Sequence, residues 1–166
     1  MSVSLPHKIS TLIYAFNERD ELLMLHRRRP PNVGMWSPFG GKLHGADGES
    51  PYQCAVRETE EEIGVKARLQ DFHLAAMVSE RAYEGEVHWL MFMFELKTRL
   101  GKLPPNHEEV VFEFVPLAEV AKREIPESDR DILWPLFLKH PGGFFSVFID
   151  THPDGSCTWE LEEVIG

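Results

Sequence analysis

Gly40-Gly41-Lys42-Leu43-His44-Gly45-Ala46-Asp47-Gly48-Glu49 runs straight into Ser50-Pro51-Tyr52-Gln53-Cys54-Ala55-Val56-Arg57-Glu58-Thr59-Glu60-Glu61-Glu62-Ile63-Gly64-Val65. The second half carries the marks of a helix from Ser50 to Ile63. Ser50 can accept a hydrogen bond from the first turn, Pro51 suits the first helical position, and Gln53 completes a capping box. Gly64 stands where a left-handed terminal residue ends a helix. Tyr52, Ala55, Val56, Thr59 and Ile63 recur at helical spacing and form one largely apolar stripe.

The other face of this helix is poorly chosen for stability. Glu58, Glu60, Glu61 and Glu62 crowd its last two turns, where the helix dipole favours cations. Glu58 and Glu62 form a like-charge i,i+4 pair, costing ~0.2–0.5 kcal/mol, while Arg57 with Glu61 recovers a similar amount. At roughly 100° per residue, Glu58, Glu61 and Glu62 share one sector and Glu60 points elsewhere. Two readings stay open: a solvated acidic face, or three carboxylates converging on a hard cation such as Mg²⁺.

Outward from this segment, the pattern gives strands at Ile9 to Phe16 and Glu21 to Arg27 around the turn Asn17-Glu18-Arg19-Asp20. Pro30 to Ser37 reads as a loop, and Gly40-Gly41 as irregular chain. Further strands are expected at Gln70 to Ser79, Glu86 to Lys97 and Val110 to Val115. A short helix is expected at Leu117 to Lys122. A longer one follows at Glu127 to Lys139, divided by Pro135. Phe144 to Ile149 and Cys157 to Glu162 form a terminal hairpin through Asp154-Gly155. One mixed sheet with helices on both faces fits this order.

The 166 residues suit one domain, 1–166, with a core over about 8–140 and a hairpin extension over 142–166. The net charge of −10 argues against duplex nucleic acid, which needs clustered Lys and Arg. It leaves room for a small phosphorylated ligand brought in with cations. Arg27-Arg28-Arg29 is the one basic cluster, either a solvated strand end or a phosphate contact. No apolar run is long enough to span a membrane, and Met1 to Ser10 lacks the layout of a secretory signal. Two cysteines, Cys54 and Cys157, without metal-type spacing suggest a cytoplasmic setting. A homodimer is compatible with the sequence but not legible in it.

The quoted run resembles the signature of the Nudix hydrolase family. That signature is a glycine, five residues, a glutamate, seven residues, then Arg-Glu-apolar-any-Glu-Glu-any-Gly-apolar. Arg57 to Val65 matches it, with Thr59 a mild departure at an apolar position. Seven residues rather than five separate Gly41 from Glu49, as if two were inserted near Gly45. The resemblance implies an α/β fold, the Nudix-type α/β/α sandwich with a mixed β-sheet, here with a C-terminal β-hairpin extension. It also implies hydrolysis of a nucleoside diphosphate linked to another moiety, with Mg²⁺, or Mn²⁺ in its place, as cofactor.

Residue by residue, the resemblance makes Glu58, Glu61 and Glu62 metal ligands, together with the Gly41 carbonyl. Arg57 orients Glu49. A later glutamate, Glu108 or Glu109, with Glu84 as a third option, serves as ligand or base. The alternative for each is a solvated charge. Met35 to Lys42 is similar to the segment in relatives that hydrolyse nucleoside triphosphates, oxidised purine forms included. On that reading Arg27, Trp36, Phe39 and Lys42 contact substrate; plain loop packing is the other reading of Trp36 and Phe39. Phe16, His26, Trp89 and Trp134 are weaker pocket candidates, each more simply core. Conjugates such as ADP-ribose are the alternative substrate, and a nucleotide sensor without catalysis is a third reading.

Overall fold

A computed structural model describes residues 4–30 and 32–166. Met1 to Val3 and Pro31 lie outside the described residues, and with them part of the N-terminal reading and of the proline-marked loop. The strands are β1 (His7–Tyr14), β2 (Leu22–Arg27), β3 (Trp36–Ser37), β4 (Phe39–Lys42), β5 (Phe72–Tyr83), β6 (Val87–Leu96), β7 (Val110–Val115), β8 (Phe144–Thr151) and β9 (Cys157–Ile165). The α-helices are α1 (Pro51–Ile63), α2 (Leu117–Val120) and α3 (Trp134–Lys139).

The expected single sheet is two sheets. Six strands run in the order β4-β1-β6-β5-β8-β9, and three more in the order β3-β2-β7. The larger is mixed, since β1 pairs parallel with β6 and β5 parallel with β8. The hairpin from β1 to β2 crosses between the sheets. Asn17 shapes it, its Oδ1 accepting from the backbone N–H groups of Arg19 and Glu21, both at 2.9 Å.

Two apolar clusters cover the two faces of the large sheet. On one face Ala55 and Ile63 of α1 pack with Ile13, Phe39, Phe94 and Phe112. On the other, Trp134, Leu136 and Phe137 of α3 pack with Tyr14, Ala76, Val78, Met93 and Val147. This matches the expected layering of helices on both faces.

One local reading needs correction. Gly40-Gly41 is not irregular: β4 pairs antiparallel with β1, Gly41 opposite Thr11 and Gly40 opposite Leu12. Glycine disfavours a strand on its own, so it is the close fit that explains the pairing. A Cβ on Gly40 would lie 2.1 Å from the Thr11 carbonyl oxygen. The expected helix from Glu127 to Lys139 is helical throughout, with a π-helical middle, Asp129–Leu133, leading directly into α3. Pro135, which has no N–H to donate, follows the π-helical segment directly.

Candidate active site

Helix α1 is built as its caps dictate. The Ser50 hydroxyl accepts from the Gln53 N–H, the Gln53 side chain accepts from the Ser50 N–H, and Gly64 takes φ 70°. Thr59, at the expected apolar position, is fully buried and donates its hydroxyl to the Ala55 carbonyl at 2.7 Å. Its polarity is thus satisfied within the helix.

Arg57 is the hub of the site. Its guanidinium grips Glu49 with two bonds, Nε to Oε2 at 2.7 Å and Nη2 to Oε1 at 2.9 Å. It also donates to Glu58 at 2.8 Å, to Glu61 at 3.0 Å and to the Lys42 carbonyl at 3.1 Å. Arg57 therefore ties α1 to the loop ahead of it. These bonds hold the Glu49 carboxyl down at about 2.

The two extra loop residues fall outside this geometry. They are taken up by a 3-10 turn, Gly45–Asp47, closed by Gly48 at φ 64°. Beyond the bulge, the His44 N–H still donates to Glu49 Oε1 at 3.1 Å. The insertion thus loops outward and leaves the Glu49–Arg57 fork intact.

Glu58 is 7% exposed. Its carboxylate lies against Gly41, where an added Cβ would meet Oε1 at 2.1 Å. Burial raises its pKa, against the pull of Arg57. Burial also raises that of Glu62, opposed by His107 and Arg27. The three carboxylates do not converge as expected. Among the described residues no three His, Cys, Asp or Glu side chains are gathered tightly enough to hold an ion. The reason is local charge: Arg57 draws Glu58 and Glu61 to itself, and Glu62 faces Arg27 and His107. The donor set still fits a hard divalent cation, being carboxylate oxygens beside the Gly41 carbonyl, with glycine leaving room for Glu58.

Of the later glutamates, Glu109 reaches the site. It pairs with Arg29 at 2.5 Å and contributes to the raised pKa of Glu62. Its carbonyl also accepts from the Arg28 N–H. Among the described residues Glu108 has no comparable tie, and Glu84 sits at the β5–β6 turn at φ 53°. Arg27 is half-buried at the end of β2, its pKa lowered by that burial. Lys42 is exposed at the end of β4.

Phe39 is a correction. It is 1% exposed within the apolar cluster under α1, so it is packing rather than a ligand contact. Trp36 is half-buried, with the Arg123 guanidinium 5.0 Å from its ring and His26 beside it. Phe16 and Trp134 are core, His26 bonds the Gly34 carbonyl, and Trp89 lies under Lys8. Sequence reasoning missed Cys54, which is wholly buried against Thr11 Oγ1 and the Gly41 carbonyl. Its thiol is pushed up to about 11 by burial, so it stays inert. Its only sequence signal was its place on the α1 face turned to the loop.

A glycine-lined strand, an acidic helix end and an arginine fork define a hydrolase of the pyrophosphate-cleaving kind. The NUDIX domain matches residues 6–134, and the chain belongs to the NUDIX family. A mutator MutT protein from Bacillus halodurans superimposes with a TM-score of 0.73 at 22% identity, covering 93% of this chain and 97% of that one. The NUDIX domain of Shewanella oneidensis NrtR, solved with ADP ribose, gives 0.64 at 15% identity, covering 83% and 89%. These two likenesses concern the fold. An octanoyltransferase of Myxococcus xanthus is 47% identical over 49 residues, which is 30% of this chain but 13% of that protein's length. Among the described residues, no helix is long and apolar enough to cross a membrane.

Proposed function

We propose that the chain hydrolyses a nucleoside triphosphate, oxidised purine forms included, to the monophosphate and pyrophosphate. The observation that carries this is the α1 end, where Glu58 lies against Gly41, Arg57 holds Glu58 and Glu61, and Glu62 stands beside them on the helix. The similarity to MutT structures supports the triphosphate. The NrtR domain with ADP ribose supports the alternative, a nucleoside diphosphate conjugate.

Glu58, Glu61, Glu62 and the Gly41 carbonyl would hold Mg²⁺, with Mn²⁺ as a substitute. When bound, such ions neutralise charge on the diphosphate. Arg27 and Lys42 meet the phosphates. The water oxygen bonds to phosphorus as the bridging P–O bond breaks, and the bond's electron pair leaves with pyrophosphate. Glu109 takes the water's proton, with Arg29 fixing its position. Arg57 touches no reacting atom; it positions Glu49, Glu58 and Glu61. In a substrate panel with Mg²⁺, turnover of triphosphates well above ADP-ribose is the expected result. Turnover of conjugates alone would overturn the triphosphate reading. Nucleotide binding without any turnover would place the chain among sensors.

Two pairs of variants separate the parts. Glu109→Ala is expected to lower kcat ~10²–10³-fold, in the range of a lost general base, and Glu108→Ala less than about threefold. Steady-state kinetics of both check this; the reverse order would exchange their roles. Gly41→Ala is expected to displace Glu58 and cost at least ~10-fold in activity, with Tm shifted little. Gly40→Ala meets backbone at Thr11 instead and is expected to cost ~1–3 kcal/mol of stability. Thermal unfolding beside an activity assay distinguishes them.

A further inference from the structure

Strand β5 carries one residue more than β6 just before the turn that joins them. Glu80 stands opposite Trp89 and Tyr83 opposite Val87, so three steps along β5 match two along β6. Side chains alternate between the faces of a sheet, and a bulge shifts that alternation by one. Without the extra residue, Tyr83 would project from the face opposite to Glu80. With it, the two share a face. The bulge is made at Ala82, whose φ of 58° lies in the left-handed region that an alanine avoids. The Ala82 N–H donates to His88 Nδ1 at 3.0 Å.

A bulge kept in a sheet at such a cost re-aims a side chain, and the one re-aimed here is Tyr83. Its hydroxyl donates to Asn32 Oδ1 at 2.7 Å, joining the end of β5 to the connection between β2 and β3. Tyr83 is half-buried, and burial pushes its hydroxyl up to about 12, so it keeps the proton that it donates. Asn32 sits at φ 60°, which asparagine tolerates better than most residues, and its carbonyl accepts from the Met35 N–H at 3.0 Å.

The same connection reaches the hydrolytic site. Arg29 pairs with Glu109, and the Arg28 N–H donates to the Glu109 carbonyl at 3.1 Å. The ion pair is open to solvent, its side chains 67% and 48% exposed. An exposed pair contributes little, because solvent screens it and two long side chains must be fixed to make it. It is too weak to hold the connection against Glu109 unaided. Arg29 and Asn32 are three residues apart, and three residues of chain span at most about 10 Å. An anchor at Asn32 therefore confines Arg29 to the neighbourhood of Glu109.

We propose that Tyr83 is a positioning residue of the hydrolytic site: its bond to Asn32 anchors the β2–β3 connection and so keeps Arg29 on Glu109. Tyr83 touches no reacting atom in this role. It acts through Asn32 and Arg29 on the carboxylate that takes the water's proton. This rests on the reading of Glu109 given above, and the test separates the two.

Tyr83→Phe removes one hydroxyl and leaves the ring in place. Asn32→Gly removes the acceptor from the other side and keeps the left-handed backbone. Both variants are compared with the wild type by amide hydrogen exchange, and by steady-state kinetics with a nucleoside triphosphate and Mg²⁺. The Arg28 amide is expected to exchange at least ~10-fold faster in both, while amides within β2 and β7 keep their rates. kcat is expected to fall ~5–20-fold, a part of the ~10²–10⁴-fold that a positioned general base contributes. KM should stay within about twofold, and the double variant should be no worse than either single one, since both remove one bond. Asn32→Asp, which keeps an acceptor for the hydroxyl, should retain the wild-type exchange rate at Arg28. Unchanged Arg28 exchange in Tyr83→Phe and Asn32→Gly overturns the proposal even if hydrolysis proceeds. A raised KM with kcat and exchange unchanged also overturns it, and assigns Tyr83 to substrate contact. Faster Arg28 exchange in the variants of a protein that hydrolyses no diphosphate overturns the hydrolytic reading instead and leaves the anchor standing.

Discussion

Glu61→Gln is expected to lower kcat by ~10³-fold while leaving the fold intact. The side chain is largely exposed, at 56%, and its one described tie is to Arg57 at 3.0 Å, so folding loses little when its charge is removed. The reaction loses much more. Under the proposed function, Glu61 is a main carboxylate of the cation site, and electrostatic groups at a reacting phosphate contribute on the scale of several kcal/mol. Circular dichroism and thermal unfolding should match the wild type. Activity should return only weakly with raised Mg²⁺, because the amide oxygen is a poorer donor to a hard ion. A variant as active as the wild type would remove Glu61 from the site.

Arg57→Ala is expected to damage both stability and activity. Arg57 is 20% exposed, and Glu49 and Glu58 are 11% and 10% exposed. Removing it strands the buried carboxylate of Glu58 and the half-buried one of Glu49, and frees the loop carbonyl of Lys42. The cost should be about 2–3 kcal/mol at neutral pH, below the full figure for a deeply buried pair because solvent reaches part of the fork. The pH dependence has a definite sign. Glu49 is held at about 2 in the folded chain, below its ordinary 4.5. Its contribution is therefore complete above 4.5 and is lost as pH falls towards 2. Urea unfolding at pH 7 and near pH 3 should show the gap between wild type and Arg57→Ala narrowing in acid. Arg57→Lys should not rescue activity, because one ammonium cannot reproduce the fork.

The contrast between these two residues follows what the sequence can express. Helix α1 was legible because its signals are local: Ser50, Gln53 and Gly64 act on neighbours a turn away. The reading of Arg57 on Glu49 came from the resemblance, and the structure places the two side chains in contact. Strand β4 was hidden because Gly40 and Gly41 have no strand preference; only the neighbouring Thr11 and Leu12 give them a partner. The π-helical turn was hidden because Glu127 to Lys139 has the periodicity of an ordinary helix. Glu108 and Glu109 differ by one position, and adjacency in a loop does not say which side chain turns inward. The contact of Arg29 with Glu109 joins positions far apart in the chain, so it could not be read from the sequence.

Strand β9 ends the six-stranded sheet, and its outer edge has no strand partner among the described residues. It carries Trp159, Leu161, Val164 and Ile165 in exposed positions, and Glu160, Glu162 and Glu163 among them. An apolar free edge is a template on which further chains can stack into fibrils. The three glutamates guard it, since two such edges brought together would oppose like charges. The same kind of side chain that crowds the end of helix α1 thus keeps this edge from joining its own copies.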